Sequence, residues 1–335
     1  MGRLRSNGPC WCDSGVKFKR CHGDIRLLQR EPVQLGTVST PRTVPPEIER
    51  PHYAISGAVS TDLGRQIQDE ESLPRLRRAC AIAAEVLLRT GEAVGVGVTT
   101  DALDVVAHDA YVELGAYPST LHYGGRRDYP KSICTSVNGV ICHGVPDSRP
   151  LAEGDIVNVD VTAYAHGMHG DTSATFCVGE VDGPTRALVE TTRQATLLGI
   201  AEVAPGRSLR AIAEAIEPFA HRRGFGVVRD YGGHGIGQTF HASPHINHCI
   251  ERHDTDTFDV AMTFTVEPML FSGREHYDRA DDGWTEHVAD AMPSAQFEHT
   301  VIVTETGVEI LTVTDSGQSA VGVVDAARPA LASDN

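Results

Sequence analysis

Asp160, Asp171, Glu267 and Glu298 stand in or beside apolar stretches, "DIVNVDVT", "HGDTSATF", "TFTVEPM" and "QFEHTVIV". A carboxylate among valines is costly to bury unless something positive meets it, and strands disfavour aspartate. Four brought together would repel and take up protons unless divalent cations neutralised them. Histidines stand in the glycine-rich "YGGHGIGQTFHASP" at His234 and His241. Two cations need carboxylates that bridge, and one imidazole adds a softer ligand. Paired cations can hold and acidify a water and polarise a carbonyl, which is hydrolytic chemistry. On spacing alone Asp171 reads equally as a turn or capping aspartate, and Glu267, before Pro268, could simply end a strand. His241, His245 and His248 lack the paired pattern of a zinc site. His166, His169, His221 and His276 read as ordinary surface or hydrogen-bonded residues. "GGHGIG" is not a dinucleotide loop, and neither a Gly-x-Ser-x-Gly elbow nor a Walker loop is present.

Such carboxylates need strands to aim them. In "DIVNVD", Ile156, Asn158 and Asp160 share one face and Val157 and Val159 the other; in "TFTVE", Thr263, Thr265 and Glu267 oppose Phe264 and Val266. The surrounding segment repeats itself weakly. Two amphipathic stretches ("ESLPRLRRACAIAAEVLLRTGEA", "ALDVVAHDAYVELGA") precede the Asp160/Asp171 strands. Two more ("RALVETTRQATLLGIAEV", "LRAIAEAIEPFAHRRGF") precede the Glu267/Glu298 strands. Helices come in groups apart from strands, which predicts an α+β fold with an antiparallel sheet flanked by helices. A pseudo-two-fold relation between the halves would place their acidic strands face to face.

The 335 residues divide into a Cys-rich module (1–24), a Pro-rich linker (25–60), one large domain (61–314) and a flexible tail (315–335). A formal charge of −16 argues against DNA or anionic membranes as partners of the chain as a whole. No apolar run is long enough to span a membrane, and "MGRLRSNGPCWC" has no apolar core of a secretory signal. "MGRLRS" fits a myristoylation pattern, one too short to carry weight. The eight cysteines form no disulfide framework, which points to a reducing compartment, with the cytoplasm as default.

The large domain resembles the type I methionine aminopeptidases, which remove the initiator Met from nascent chains. "YPKSICTSVNGVICHGVPD", "GDIVNVDVT", "HGDTSATF", "GGHGIGQTFHASP", "FTVEPM" and "SAQFEHTVIVT" carry the resemblance in the family's order. It implies the pita-bread fold, with its pseudo-two-fold repeat. The implied ligands of two divalent cations (Co, Mn, Fe or Zn) are Asp160, Asp171, His234, Glu267 and Glu298, with Asp171 and Glu298 bridging. A bridged hydroxide would attack the first peptide carbonyl. His143 would lie near the scissile nitrogen, His241 would stabilise the tetrahedral intermediate, and Glu267 would pass the proton to the leaving amine. Tyr123, Tyr129, Cys134, Phe240 and Trp284, with His143 and His241, would line the substrate pocket; core packing is the bland alternative for the first five.

Arg126 and Arg127 depart from the family at the pocket rim, where apolar or aromatic residues are usual. The spacing from His241 to Glu267 leaves no room for the type II insertion. Proline peptidases share fold and ligands but normally carry a large domain ahead of them. A non-catalytic pita-bread binding protein is the further alternative, against which stands the complete ligand set. No sequence feature asks for an oligomer, so a monomer is expected.

"PCWCDSGVKFKRCHG" offers Cys10, Cys12, Cys21 and His22, the ligand count of a structural zinc site. It resembles the SEC-C motif. So short a segment would fold only with its metal. Lys17, Lys19, Arg20 and Arg26 make it basic within an acidic chain, which suggests salt-sensitive docking at ribosomal RNA; a merely solvated face is the other reading.

Overall fold

The computed structural model describes residues 7–10, 14–27, 29, 33–59, 64–124, 128–251 and 255–322. Its helices are α1 (His52–Ser56), α2 (Ser72–Glu92), α3 (Thr100–Glu113), α4 (Gly183–Ala201) and α5 (Arg210–Arg222). Local chemistry starts them. The Asp69 carboxylate accepts the Glu71 and Ser72 amides ahead of α2, while Ser72 Oγ accepts the Asp69 amide, a reciprocal cap. Thr99 caps α3 and Asp182 caps α4, where Pro184 costs no amide hydrogen bond.

The main sheet has nine strands. At its middle lies the hairpin Ile156–Ala165/Met168–Cys177, in register from Ile156 opposite Cys177 to Ala165 opposite Met168. Glu298–Val303 follows on one side, then Thr263–Val266, Gly233–Gly235 and Ala242–Ile246; Cys134–Val137 pairs on the hairpin's other side. These pairs are antiparallel. Two cores reflect the two halves. Leu76, Val86 and Leu87 of α2 and Leu103 of α3 pack on Val157, Val159 and Val161. Leu188 of α4 and Ile212 and Ile216 of α5 pack on Phe264, Val266 and Val301. Each such side chain contributes roughly 1.5–3 kcal/mol by leaving water. This is the expected pita-bread arrangement. Gly170 shows how closely α2 lies on the hairpin: a Cβ there would sit 2.4 Å from the Cys80 backbone nitrogen.

The flanks differ from expectation. Residues 33–59 are nearly all irregular, as a Pro-rich stretch should be, yet they are a fastened strap. The Gly36 amide reaches Asp147, Thr37 exchanges hydrogen bonds with Ser148, and Val44 and Ile48 pack on Tyr117 and Leu121. Ser39 and Arg42 close over Lys131, which is only 1% exposed and faces Asp101 and Asp104. Lys131→Met should therefore cost about 3–5 kcal/mol in urea unfolding, because Asp104 loses a buried cationic neighbour. The first part of the expected tail is packed on the domain as well. Val321 is buried in the first core and the Gly322 carbonyl accepts from His299 Nε2 at 2.7 Å; residues 323–335 lie outside the described residues.

The N-terminal module is similarly fastened. Cys10 is 4% exposed and packs with Cys142, Val228, Met269 and Phe271, with Phe18 against the same cluster. Arg274 donates to the Cys21 carbonyl. The module thus has one face on the domain, while Lys17, Lys19 and Arg20 remain exposed. No described helix is long and apolar enough to cross a membrane.

Candidate active site

Strand register assembles the acids. Cys134, Asp160, Ser173 and Glu298 are successive Cα partners across four strands. Asp171 lies two residues from Ser173 and so faces the same way. His299 pairs with Val266, so Glu298 and Glu267 each follow by one step onto a common face. From the adjacent Gly233–Gly235 strand, the His234 amide donates to Thr265 Oγ1 at 3.0 Å and its ring enters the group. His234 Nε2 lies 3.8 Å from Asp171 Oδ2 and 3.6 Å from Glu267 Oε1. One donor atom each from Asp171, His234 and Glu298 lie within 4.8 Å of one another.

Neighbouring hydroxyls and amides hold the carboxylates in place. Thr162 donates to Asp171 Oδ1 at 2.8 Å, and Thr265 and Gln296 donate to the two oxygens of Glu267 at 2.7 and 3.1 Å. His248 accepts the Glu267 amide. Burial, and then mutual repulsion, raises the pKa of Asp171 and Glu298; burial is also the chief cause that raises Asp160 and Glu267. Burial lowers His234 to about 4, which leaves it neutral and able to ligate.

These acids floor a cavity of about 340 Å³ whose described lining also includes His143, His241, Tyr123, Tyr129, Cys134, Phe240 and Trp284. The structure thus brings every expected ligand and pocket residue of the large domain to one place. Tyr129 and Trp284 meet edge to face at 5.3 Å between ring centres, and Tyr129 Oη donates to the Ile133 and Gly144 carbonyls. His143 sits at a φ of 56°, a left-handed conformation uncommon outside glycine. Gly144 after it is obligatory, since a Cβ would meet the Thr135 carbonyl oxygen at 2.2 Å. Together they turn the imidazole toward Tyr231 and Trp284. His241 stacks on Phe240 at 4.1 Å, and its Nδ1 lies 2.8 Å from Tyr123 Oη.

The sequence reading missed Thr120, Thr162, Tyr231 and Met269, which also line the cavity. Thr162 was findable, because it lies directly opposite Asp171 once the hairpin is drawn. His169 is buried and hydrogen-bonded to Ser119. Arg126 and Arg127 lie outside the described residues.

The model of the Metallopeptidase family M24 matches residues 74–305. The chain belongs to metallopeptidase family M24. Its N-terminus, residues 7–24, also matches the SEC-C motif. The M24 chain is 49% identical over 286 residues to Methionine aminopeptidase 2 of Mycobacterium tuberculosis, covering 85% of this chain and 99% of that one. It superposes on methionine aminopeptidase from Rickettsia prowazekii with a TM-score of 0.72 and 41% identity, over 75% of this chain and all (100%) of the other. Prolidase from Pyrococcus furiosus, at a TM-score of 0.59 and 21% identity, covers 75% of this chain and 66% of that one and shares the fold alone.

The donor set fits the divalent cations on which M24 enzymes depend. Three buried carboxylates, the half-buried Asp160 and one neutral imidazole meet with no Lys or Arg among the described lining residues, a donor set that bound cations would neutralise. In the N-terminal module, Cys10 Sγ and Cys21 Sγ each lie 3.3 Å from His22 Nδ1, and the three form the other described cluster able to hold a metal ion. Cys12 lies outside the described residues. Cys80, Cys134, Cys142, Cys177 and Cys249 are in no disulfide.

Proposed function

We propose that this chain hydrolyses the bond after an N-terminal methionine when the second residue is small, acting on protein N-termini as a methionyl aminopeptidase. The observation that carries the reading is the five-residue ligand set at the floor of an aromatic-walled cavity. The 49% identity to a methionine aminopeptidase supports it. Asp160, Asp171, His234, Glu267 and Glu298 would hold two divalent cations (Co, Mn, Fe or Zn), with Asp171 and Glu298 shared between them. Bound there, such ions supply Lewis acidity and a water of lowered pKa.

The chain's own residues do the rest. Tyr129, Cys134, Phe240 and Trp284 take the thioether side chain, with Tyr123 at the rim. Tyr123 holds His241 through Nδ1, which leaves Nε2–H to donate to the oxygen that gains charge in the transition state. His143 receives the scissile amide nitrogen, and Glu267 carries a proton to the leaving amine. A bulky second residue such as leucine would be disfavoured beside His143 and His241, which both line the cavity.

Release of methionine from Met-Ala-Ser and Met-Leu-Ser tests this. Stripped protein resupplied with Mn or Co should cleave the first and spare the second. Turnover of both alike would sink the size rule. Cleavage of Xaa-Pro peptides instead would move the chain to the proline peptidases, and metal binding without any turnover to a non-catalytic role.

The N-terminal module holds one structural zinc through Cys10, Cys12, Cys21 and His22 on this reading. Elemental analysis should find one zinc that survives mild stripping of the active site and is absent from Cys21→Ser. Its exposed Lys17, Lys19 and Arg20 support docking at the ribosome, and co-sedimentation should weaken with salt. The enzyme would act as a cytoplasmic monomer, and light scattering checks the monomer.

A further inference from the structure

A second cavity, of about 140 Å³, adjoins the first, and the two share Tyr123, Phe240 and His241. The strap supplies part of its wall through Pro51, Tyr53 and Val59, and these residues lie ahead of the matched family region, 74–305. The strap is held firmly there. Tyr53 donates to the Ser119 carbonyl, and its ring meets Tyr123 edge to face at 5.1 Å. Tyr164 and Phe240 add further rings, polar groups come from His52, His169, Gln238, Thr239 and His241, and none of the described lining residues is Asp, Glu, Lys or Arg.

In an extended peptide, side chains alternate, so the first and third point the same way about 7 Å apart, and the second points oppositely. Tyr123 and Phe240, whose ring centres lie 5.0 Å apart, line both cavities, with His241 stacked on Phe240 at 4.1 Å. A peptide whose methionine fills the first cavity, and whose first carbonyl lies at His241, therefore sets its third side chain over the second. Resting on the reading above, we infer that the strap cavity is a subsite for the third residue of the substrate and takes a large apolar or aromatic side chain. The strap thereby determines specificity, beyond its role in holding the fold.

The test compares kcat/KM for Met-Ala-Phe-Ser and Met-Ala-Gly-Ser, with Mn supplied, in the intact chain and in Val59→Asp and Gln238→Phe. Val59 is half-buried and Gln238 exposed at the cavity, so neither change opens a packed core. Melting temperatures confirm that each variant folds. The intact chain should favour Phe by about tenfold or more, the discrimination an apolar pocket gives. Both variants should bring that ratio within about twofold, one by a carboxylate in the wall and the other by filling the space. Equal constants in the intact chain, or an unchanged ratio in both folded variants, would overturn the subsite. Failure to cleave Met-Ala-Gly-Ser at all would instead strike the aminopeptidase reading beneath it.

Discussion

Asp171→Asn should lower kcat/KM by more than about a thousandfold, roughly 4 kcal/mol of transition-state stabilisation. The same change should make the metal-free protein more stable. Asp171 is 4% exposed and faces Asp160, Glu267 and Glu298 with no cation among the described side chains lining the cavity. The amide keeps an oxygen for the Thr162 hydroxyl, so the hairpin contact survives while one repulsive charge goes. Melting curves should therefore cross. In chelator the variant should melt above the parent by a few degrees, about 1–2 kcal/mol. With Mn the parent should gain and the variant should not. A variant that still binds its full complement of metal and turns over would remove Asp171 from the ligand set. A variant less stable in chelator would show that Asp171 serves the hairpin more than it strains it.

His241→Ala should behave differently. Its ring stacks on Phe240 at the mouth and is exposed, so the fold and the metal content should both be kept. If Nε2 donates to the developing oxyanion, kcat and kcat/KM should fall together by about 10²–10³ with KM nearly unchanged. Tyr123→Phe should reproduce a milder version, about tenfold, because it frees His241 Nδ1 without removing the donor. A rise in KM alone in His241→Ala would make the residue a binding group. Loss of metal would place it nearer the ligands than its stacking on Phe240 indicates.

Much of the site was legible because it obeys strand arithmetic. Asp160 and Glu267 end alternating apolar runs, and period two puts each opposite its valines whatever the rest of the fold does. The four helices likewise follow from their apolar spacing, within two or three residues of the observed ends. Tyr231 and Met269 were not legible, because a ring and a thioether are common core features and only the cavity selects them. The strap misled for a related reason. Its prolines and scattered apolar residues carry no periodicity, and its anchors, Asp147, Ser148, Asp101 and Lys131, lie between 62 and 111 residues further on.

The sequence by itself determined the chemistry: the donor types, their order along the chain, and the alternation that aims each acid to one side of its strand. These are local properties, set by residue identity and backbone period. The tertiary structure alone decided that Cys134, Asp160, Ser173 and Glu298 fall in one row, since pairing register depends on distant strands. It also decided that the module packs behind Cys142 and Met269 and that the strap walls a second cavity. Those contacts join segments whose own sequences contain no record of the surface they will meet, because burial there is shared between partners and belongs to neither alone.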